Sequence, residues 1–354
     1  MKKCHTVYGA CAAALLVAGV GAAAPAGNCP TLHVVRPGQS IQKAVDAAKP
    51  GDTVLVTAGT YRESVKITTP WLTLRGDGRK TVIRPGKKKS DTSCAGYGNG
   101  ICVAGTKSWR VDGVTIADLT VTGFARAGVF AVGTDHLTVR QVTADKNKLW
   151  GIAEERSVRS LVRGNTVRDN GDAGVFLANT MLTEAGAKDT RGTIVDRNVL
   201  KGNRIGVTVR RLRNITVAHN DVTGNCAGVF VVGDENKPKA GKATVAYNSI
   251  VKNNKYCPKT ARLPFLQGSG VVLTGAEDSL VTGNVITGNA GRSPLSGGVV
   301  LYKSFVGTTS ERNRIHDNRV KNNAPADLVN QEAAKRNNTF ARNNCAKSKP
   351  AGLC

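Results

Sequence analysis

Asn165-Thr-Val-Arg-Asp-Asn170, closely followed by Gly174-Val-Phe-Leu177, is a two-part phrase that returns along the rest of the chain. Its first part, Asn-x-apolar-x-x-Asn, reappears as NVLKGN at 198–203, NDVTGN at 220–225, NSIVKN at 248–253, NVITGN at 284–289, NRVKNN at 318–323 and NTFARN at 338–343. The second part recurs as GVTV at 206–209, GVFV at 228–231, and GVVL at 270–273 and 298–301. Upstream, GVFA at 128–131 and GIAE at 151–154 keep the glycine strand without the asparagines. A unit of about 20–24 residues that cannot bury its own apolar face implies a stacked solenoid.

Each unit reads as one turn of a coil made of short strands. Residues before the first Asn alternate, as in ATVAYN from Ala243, which suits a half-buried strand. The Asn is expected to supply the bend, since its side chain tolerates left-handed backbone and bonds nearby peptide groups. Turns stacked at strand spacing place the Asn amides one above another, where they form a hydrogen-bonded ladder. The Asn columns are therefore read as structural, and the sequons at Asn214 and Asn337 need no glycan to explain them.

VVRPGQSIQKAVDAAKPGDTVLVTAGTYRESVKI, at 34–67, reads as the start of the coil. Ser40 is the expected N-cap of a short helix whose apolar stripe is Ile41, Ala44, Val45 and Ala48, and Pro50-Gly51 stops it. With these features, residues from Thr31 to Asn343 resemble the right-handed parallel β-helix superfamily of pectate lyases, polygalacturonases and sugar-binding repeats. The resemblance implies an all-β solenoid of about ten rungs with an N-terminal capping helix. The expected division is a signal peptide at 1–26, the β-helix at 27–343 and a C-terminal tail at 344–354.

The first 26 residues carry Lys2 and Lys3, an apolar run from Val7 to Val20 and a small-x-small site at Ala24-Pro25-Ala26, the pattern of a secretory signal. Export into the extracellular space is expected. Seven of the nine cysteines lie beyond that segment. The expected disulfides are Cys94–Cys102, Cys226–Cys257 and Cys345–Cys354, the last tying the tail, with Cys29 left over. No closely spaced Cys/His set marks a metal site.

The formal net charge is +25, which favours a polyanion as partner, and anionic polysaccharide or cell-envelope polymer is the expected one. Nucleic acid is the poorer partner, because aromatic residues are few and no nucleic-acid motif appears. The mature chain has no membrane segment in this reading, and a monomer is expected.

Alternation on the Gly-led strands sends Val129, Ile152, Val175, Val207, Val229, Val271 and Val299 inward. It sends Phe130, Phe176, Phe230, Arg210 and Tyr302 outward, and these are the substrate-binding candidates: aromatic faces for sugar rings beside a cation. The competing reading folds the long inserted turns over the Phe column as a satellite core. Lyases of the resembled superfamily use an Arg or Lys base, often with calcium held by acids. Catalytic candidates here are Glu155, Arg210, Arg211 and Tyr302. No cofactor is expected, calcium being a possibility only for a lyase. Arg262-Leu-Pro264-Phe-Leu-Gln267 resembles the Arg-x-Pro-x-x-Arg element of pectate lyases, but Gln267 replaces its second Arg. Glu154 and Glu155 are adjacent on a strand, so they face opposite ways. Ser40-Ile-Gln-Lys43 matches Ser-x-x-Lys only as part of the cap helix. The repeat class is also shared by a maturation factor that helps load copper into nitrous oxide reductase, yet two Met and no Cys/His set supply no evident copper ligands. The leading expectation is a secreted β-helix that binds an anionic polymer. The alternative is a polysaccharide lyase or glycoside hydrolase with an atypical site on the Gly-led sheet.

Overall fold

The computed structural model describes residues 30–86, 93–106 and 108–354; the segment 1–26 expected to be a signal peptide, and Cys29, lie outside them. Short strands wind into a coil with three parallel sheets. The first sheet runs from Leu32–Val35 to Thr339–Ala341 and holds the strands that precede each first Asn. The second, made of the short strands between the paired asparagines, runs from Gly59–Arg62 to Arg319–Lys321. The third, the Gly-led sheet, runs from Val65–Ile67 to Ser348–Lys349. Neighbouring strands in these sheets pair in parallel, without a register slip in the Gly-led sheet.

Because the register is held, like residues stack into columns. Val129, Ile152, Val175, Val207, Val229, Val271 and Val299 are all fully buried in one continuous core, facing inward as alternation required. The repeated glycine is a close-packing position. A Cβ on Gly174 would lie 2.9 Å from Asn203 Nδ2 and 2.8 Å from the Gly206 carbonyl, so no larger residue fits without displacing the ladder.

The asparagines form two ladders at the corners on either side of the second sheet. Nδ2 of Asn165 donates to Oδ1 of Asn198, and the chain continues through Asn220, Asn248, Asn284, Asn318 and Asn343 at 2.9–3.0 Å per step. A parallel ladder runs through Asn147, Asn170, Asn203, Asn225, Asn253, Asn289 and Asn323. Apart from half-buried Asn343 at the C-terminal end, these amides are almost wholly buried, and their remaining donors reach backbone carbonyls such as Val195 O from Asn220.

Two details differ from the sequence expectation. The ladder asparagines do not take the left-handed backbone; the residue before each first Asn does, as at Arg197, His219 and Tyr247. The Asn side chain must turn inward to meet its neighbour, and the bend falls on the exposed position beside it. The phrase at 338–343 is also offset by one strand. Asn338 stacks on Asn313, and Thr339–Ala341 pairs with Arg314–His316 in the first sheet.

The N-terminal end is plugged by the helix Ile41–Ala47, α1, which buries Ile41 and Val45. Ser40 caps it at Lys43 N, and the Glu63 carboxylate accepts from Ile41 N at 2.8 Å and Gln42 N at 3.1 Å. Ser40 and Lys43 thus belong to the cap helix. Disulfides join Cys94 to Cys102, Cys226 to Cys257 and Cys345 to Cys354.

Candidate functional site

The outward column of the Gly-led sheet reads Phe130, Ala153, Phe176, Thr208, Phe230, Val272 and Val300 in unbroken register. Most of it is roofed. Phe176 and Phe230 are buried with Met181, Leu266 and Leu295 from the inserted turns, and the Cys226–Cys257 bond pins the 254–268 turn in place. The turns form a satellite core, and Phe176, Phe230 and Tyr302 offer no open ring face to solvent. Tyr302 is buried and packs its ring 5.1 Å from Phe305. Phe130, near the N-terminal end of the column, is half-exposed.

The next outward column holds Val132, Glu155, Ala178, Arg210 and Val232. Ala178 separates Glu155 from Arg210, so their backbones lie roughly 10 Å apart at ordinary strand spacing. Arg210 is half-buried and donates to the Met181 carbonyl at 3.4 Å. Among the described residues it has no carboxylate partner. Burial, together with the nearby Arg211 and Arg262 cations and against the opposing pull of Asp234 and Glu184, lowers its pKa to about 10, which leaves it charged at neutral pH. Arg262 donates to the same Met181 carbonyl, also at 3.4 Å. It lies in the inserted turn, outside the strands, so the Arg-x-Pro likeness has no strand scaffold behind it.

Arg211 has a different role. Its guanidinium is buried, ion-paired to Asp234, and bonded to Thr180 Oγ1 at 3.1 Å and the Thr183 carbonyl at 2.5 Å. It braces the 180–184 turn against the following rung. Glu154 faces the interior of the coil, and burial raises its pKa to about 7. The two adjacent glutamates therefore point to opposite faces, and they do not form one site.

A second cluster lies at the entry edge of the same face. In the outward column Ala127, Trp150, Ala173, Ile205 and Ala227, Trp150 is the only ring. It stacks on Phe176 at 4.8 Å, carries Arg126 at 5.6 Å from its centroid, and donates from Nε1 to Asp172 Oδ2 at 3.0 Å. Burial raises the Asp172 pKa. Arg204 is buried close by, held through the Pro258 carbonyl at 2.7 Å and the Pro264 carbonyl at 3.4 Å, and its pKa is lowered by desolvation. The sequence reading missed this group. Its visible trace was a Trp where other units carry Ala, Ile, Ser or Gly just before the glycine.

Residues 90–250 match the right-handed β-helix region family. Similar solved structures include the A-module of a mannuronan C-5 epimerase from Azotobacter vinelandii, 19% identical over 87% of this chain and 91% of that one, with a TM-score of 0.56. An alginate lyase from Paenibacillus sp. str. FPU-7 is 16% identical over 90% and 99% of the two chains, with a TM-score of 0.55. A DFA-IIIase from Arthrobacter chlorophenolicus A6 is 13% identical over 88% and 83%, also with a TM-score of 0.55. The chain is a right-handed parallel β-helix of the pectate-lyase-like fold. No curated protein matches this β-helix by sequence.

Residues 181–350 of this β-helix also match a family described as periplasmic copper-binding protein (NosD). The donors among the described residues do not fit copper. All six described cysteines are in disulfides, Met181 is buried in the satellite core, and no three His, Cys, Asp or Glu side chains converge among the described residues. The described histidines at 33, 136, 219 and 316 each sit against an aspartate.

Proposed function

We propose that this protein is an exported, monomeric β-helix that binds an acidic extracellular polysaccharide through the cationic outer face of its Gly-led sheet. The observation that carries the reading is the Arg210–Arg262 pair. A guanidinium from a sheet strand and one from an inserted turn share one carbonyl acceptor and make no ion pair with a carboxylate among the described residues, Asp234 and Glu184 acting on Arg210 only at longer range, so each keeps free donors for an oxyanion. Further toward the N-terminal end of the same sheet, partly exposed Phe130, and exposed Trp109 and Tyr97 in the turns bordering the strand Ile101–Ala104, add ring surface. The formal charge of +25 supports a polyanion as partner. The N-terminal segment and the disulfides support an oxidising, extracytoplasmic location, and no helix among the described residues is long and apolar enough to cross a membrane. The polysaccharide class is supported by the mannuronan epimerase module and the alginate lyase that share the fold, an argument from likeness alone.

The test is retention of the mature protein on immobilised alginate, pectate, heparin and teichoic acid across a salt gradient. Retention on at least one polymer, released by salt and weakened in Arg210→Ala, is the expected result. Elution of wild type with the void volume on all four overturns the reading.

One observation favours catalysis as a second reading. Asp172 combines a raised pKa with the Trp150 ring and the Arg204 cation, the kind of perturbed group that serves as a general acid. Unsaturated-uronate absorbance or new reducing ends, lost in Asp172→Asn, would make the protein an enzyme.

A further inference from the structure

Four cations converge at the corner where the chain leaves the Gly-led sheet for the next rung. We propose that Arg110, Arg156, Lys188 and Arg191 form an anion-binding notch that takes the acidic groups of a bound polysaccharide. This rests on the polysaccharide reading above and adds a contact outside the Gly-led face.

The four residues come from rungs stacked on one another. Val111–Asp112 pairs with Thr134–Asp135, Asp135 bridges to Val158, and Arg159 N donates to the Thr190 carbonyl. Arg110 spans the corner, its Nη1 donating to the carbonyls of Thr134 and Arg156, both at 3.0 Å. The side chains of Arg156, Lys188 and Arg191 make no hydrogen bond or ion pair with any described residue. Lys188 is half-buried; desolvation and then Arg110, Arg191 and Arg156 lower its pKa.

The nearby acids make no ion pair with the four cations, the Asp135 carboxylate acting on Arg110 only at longer range. Asp135 takes Arg159 in a two-pronged bond at 2.6 and 2.5 Å, and Asp234 takes Arg211. Asp189 accepts from the Arg191 backbone N and from Asn214 Nδ2. The side-chain charges of the notch thus have no carboxylate in ion-pair contact. Holding like charges together costs stability, and a surface corner needs no such arrangement for folding. A ligand that supplies the missing negative charge gives it a use. Trp109, 71% exposed and next to Arg110, places a ring beside the notch that can stack on a sugar. Carboxylate, sulfate and phosphate share the oxyanion chemistry that the notch fits.

The experiment titrates soluble oligomers of alginate, heparin and teichoic acid, which separate those three sources, into wild type and two charge-matched double variants. Arg156→Met with Lys188→Met removes two of the four notch cations. Lys201→Met with Lys252→Met removes two exposed cations at the second sheet and its corner. The notch variant should lose about tenfold in affinity for the preferred oligomer with a flatter salt dependence, and the control about twofold or less. Its melting temperature at low salt should hold or rise, because repulsion is relieved; a fall would mark the cluster as a structural element and overturn the proposal. Equal losses in both variants would reduce the effect to net charge and also overturn it. If wild type binds and the notch variant binds as tightly, the notch alone falls. If wild type binds none of the three, the polysaccharide reading falls with it.

Discussion

Arg210 and Arg262 come from a sheet strand and an inserted turn, yet both donate to the Met181 carbonyl at 3.4 Å. A single peptide oxygen satisfies at most a small part of the hydrogen-bonding capacity of two guanidiniums. The pair is held by the turns that roof the satellite core, and it makes no ion pair among the described residues, Asp234 and Glu184 offsetting the Arg210 charge only at longer range.

The Arg210→Ala, Arg262→Ala double variant should therefore lose polymer affinity while keeping its fold. One contact from half-buried Arg210 and one from exposed Arg262 are worth about 2–4 kcal/mol together, a fall of between one and three orders of magnitude by calorimetry. Circular dichroism and the melting curve should stay close to wild type, since neither residue braces the coil as Arg211 does. A large drop in melting temperature would instead make the pair structural.

Glu154 gives a pH dependence with a definite sign. It lies between Ala131 and Leu177 in the coil interior, faced by the Ser160 hydroxyl without good hydrogen-bond geometry, and it has no cationic partner among the described residues. Its pKa is raised from an ordinary 4.5 to about 7. Between those values the unfolded chain releases the proton and the folded one keeps it, so stability falls as pH rises from about 4.5 to 7 and levels off above. The cost of this one group by pH 8 is about 3 kcal/mol. Urea unfolding of Glu154→Gln should lack this part of the slope and should exceed wild-type stability at pH 8. Parallel pH profiles for the two proteins would contradict the assignment.

The Asn phrases and glycine strands made the coil readable, because every rung needs the same corner and the same close approach, as at Gly174 and Asn203. The inward column from Val129 to Val299 was readable for the same reason. The path of the insertions was not. Nothing in CPKTARLPFLQGS says that Leu266 folds back over Phe230, since alternation describes strands and is silent about turns. The notch was equally hidden: positions 110, 156, 188 and 191 follow no period, and the irregular corner lengths bring them together. Likewise, alternation marks Phe176 as outward but cannot say whether a turn covers it.

The ladder itself predicts a sharp asymmetry between corner residues. Asn220 donates to Asn248 Oδ1 at 2.9 Å and to the Val195 and Ala218 carbonyls, and it accepts from Asn198. Replacing it with Ala strands the backbone N and one Nδ2 donor of Asn198 and takes a donor from the backbone carbonyls in a buried corner, a loss of about 3 kcal/mol. The neighbouring His219 carries the left-handed bend but is half-exposed. His219→Gly should change stability by less than about 1 kcal/mol, since glycine favours that backbone. Thermal melts of the two variants decide it: comparable losses would mean that the bend, and not the amide ladder, holds the corner.

The Cys226–Cys257 bond closes a separation of 31 residues and pins the turn that roofs Phe230. Removing it as Cys226→Ala with Cys257→Ala frees that loop in the unfolded chain, a stability loss of roughly 4 kcal/mol on the chain-entropy account. The parallel core beneath should remain, because its strands pair with neighbours above and below independently of the turn. The expected result is therefore local: far-ultraviolet circular dichroism unchanged at 25 °C, increased binding of an apolar dye as Phe230 and Leu266 come into contact with water, and earlier proteolysis within 254–268. If polymer affinity falls together with the proteolytic protection, the roof positions Arg262 for binding. If affinity holds while the roof opens, Arg210 binds without it and Arg262 leaves the site.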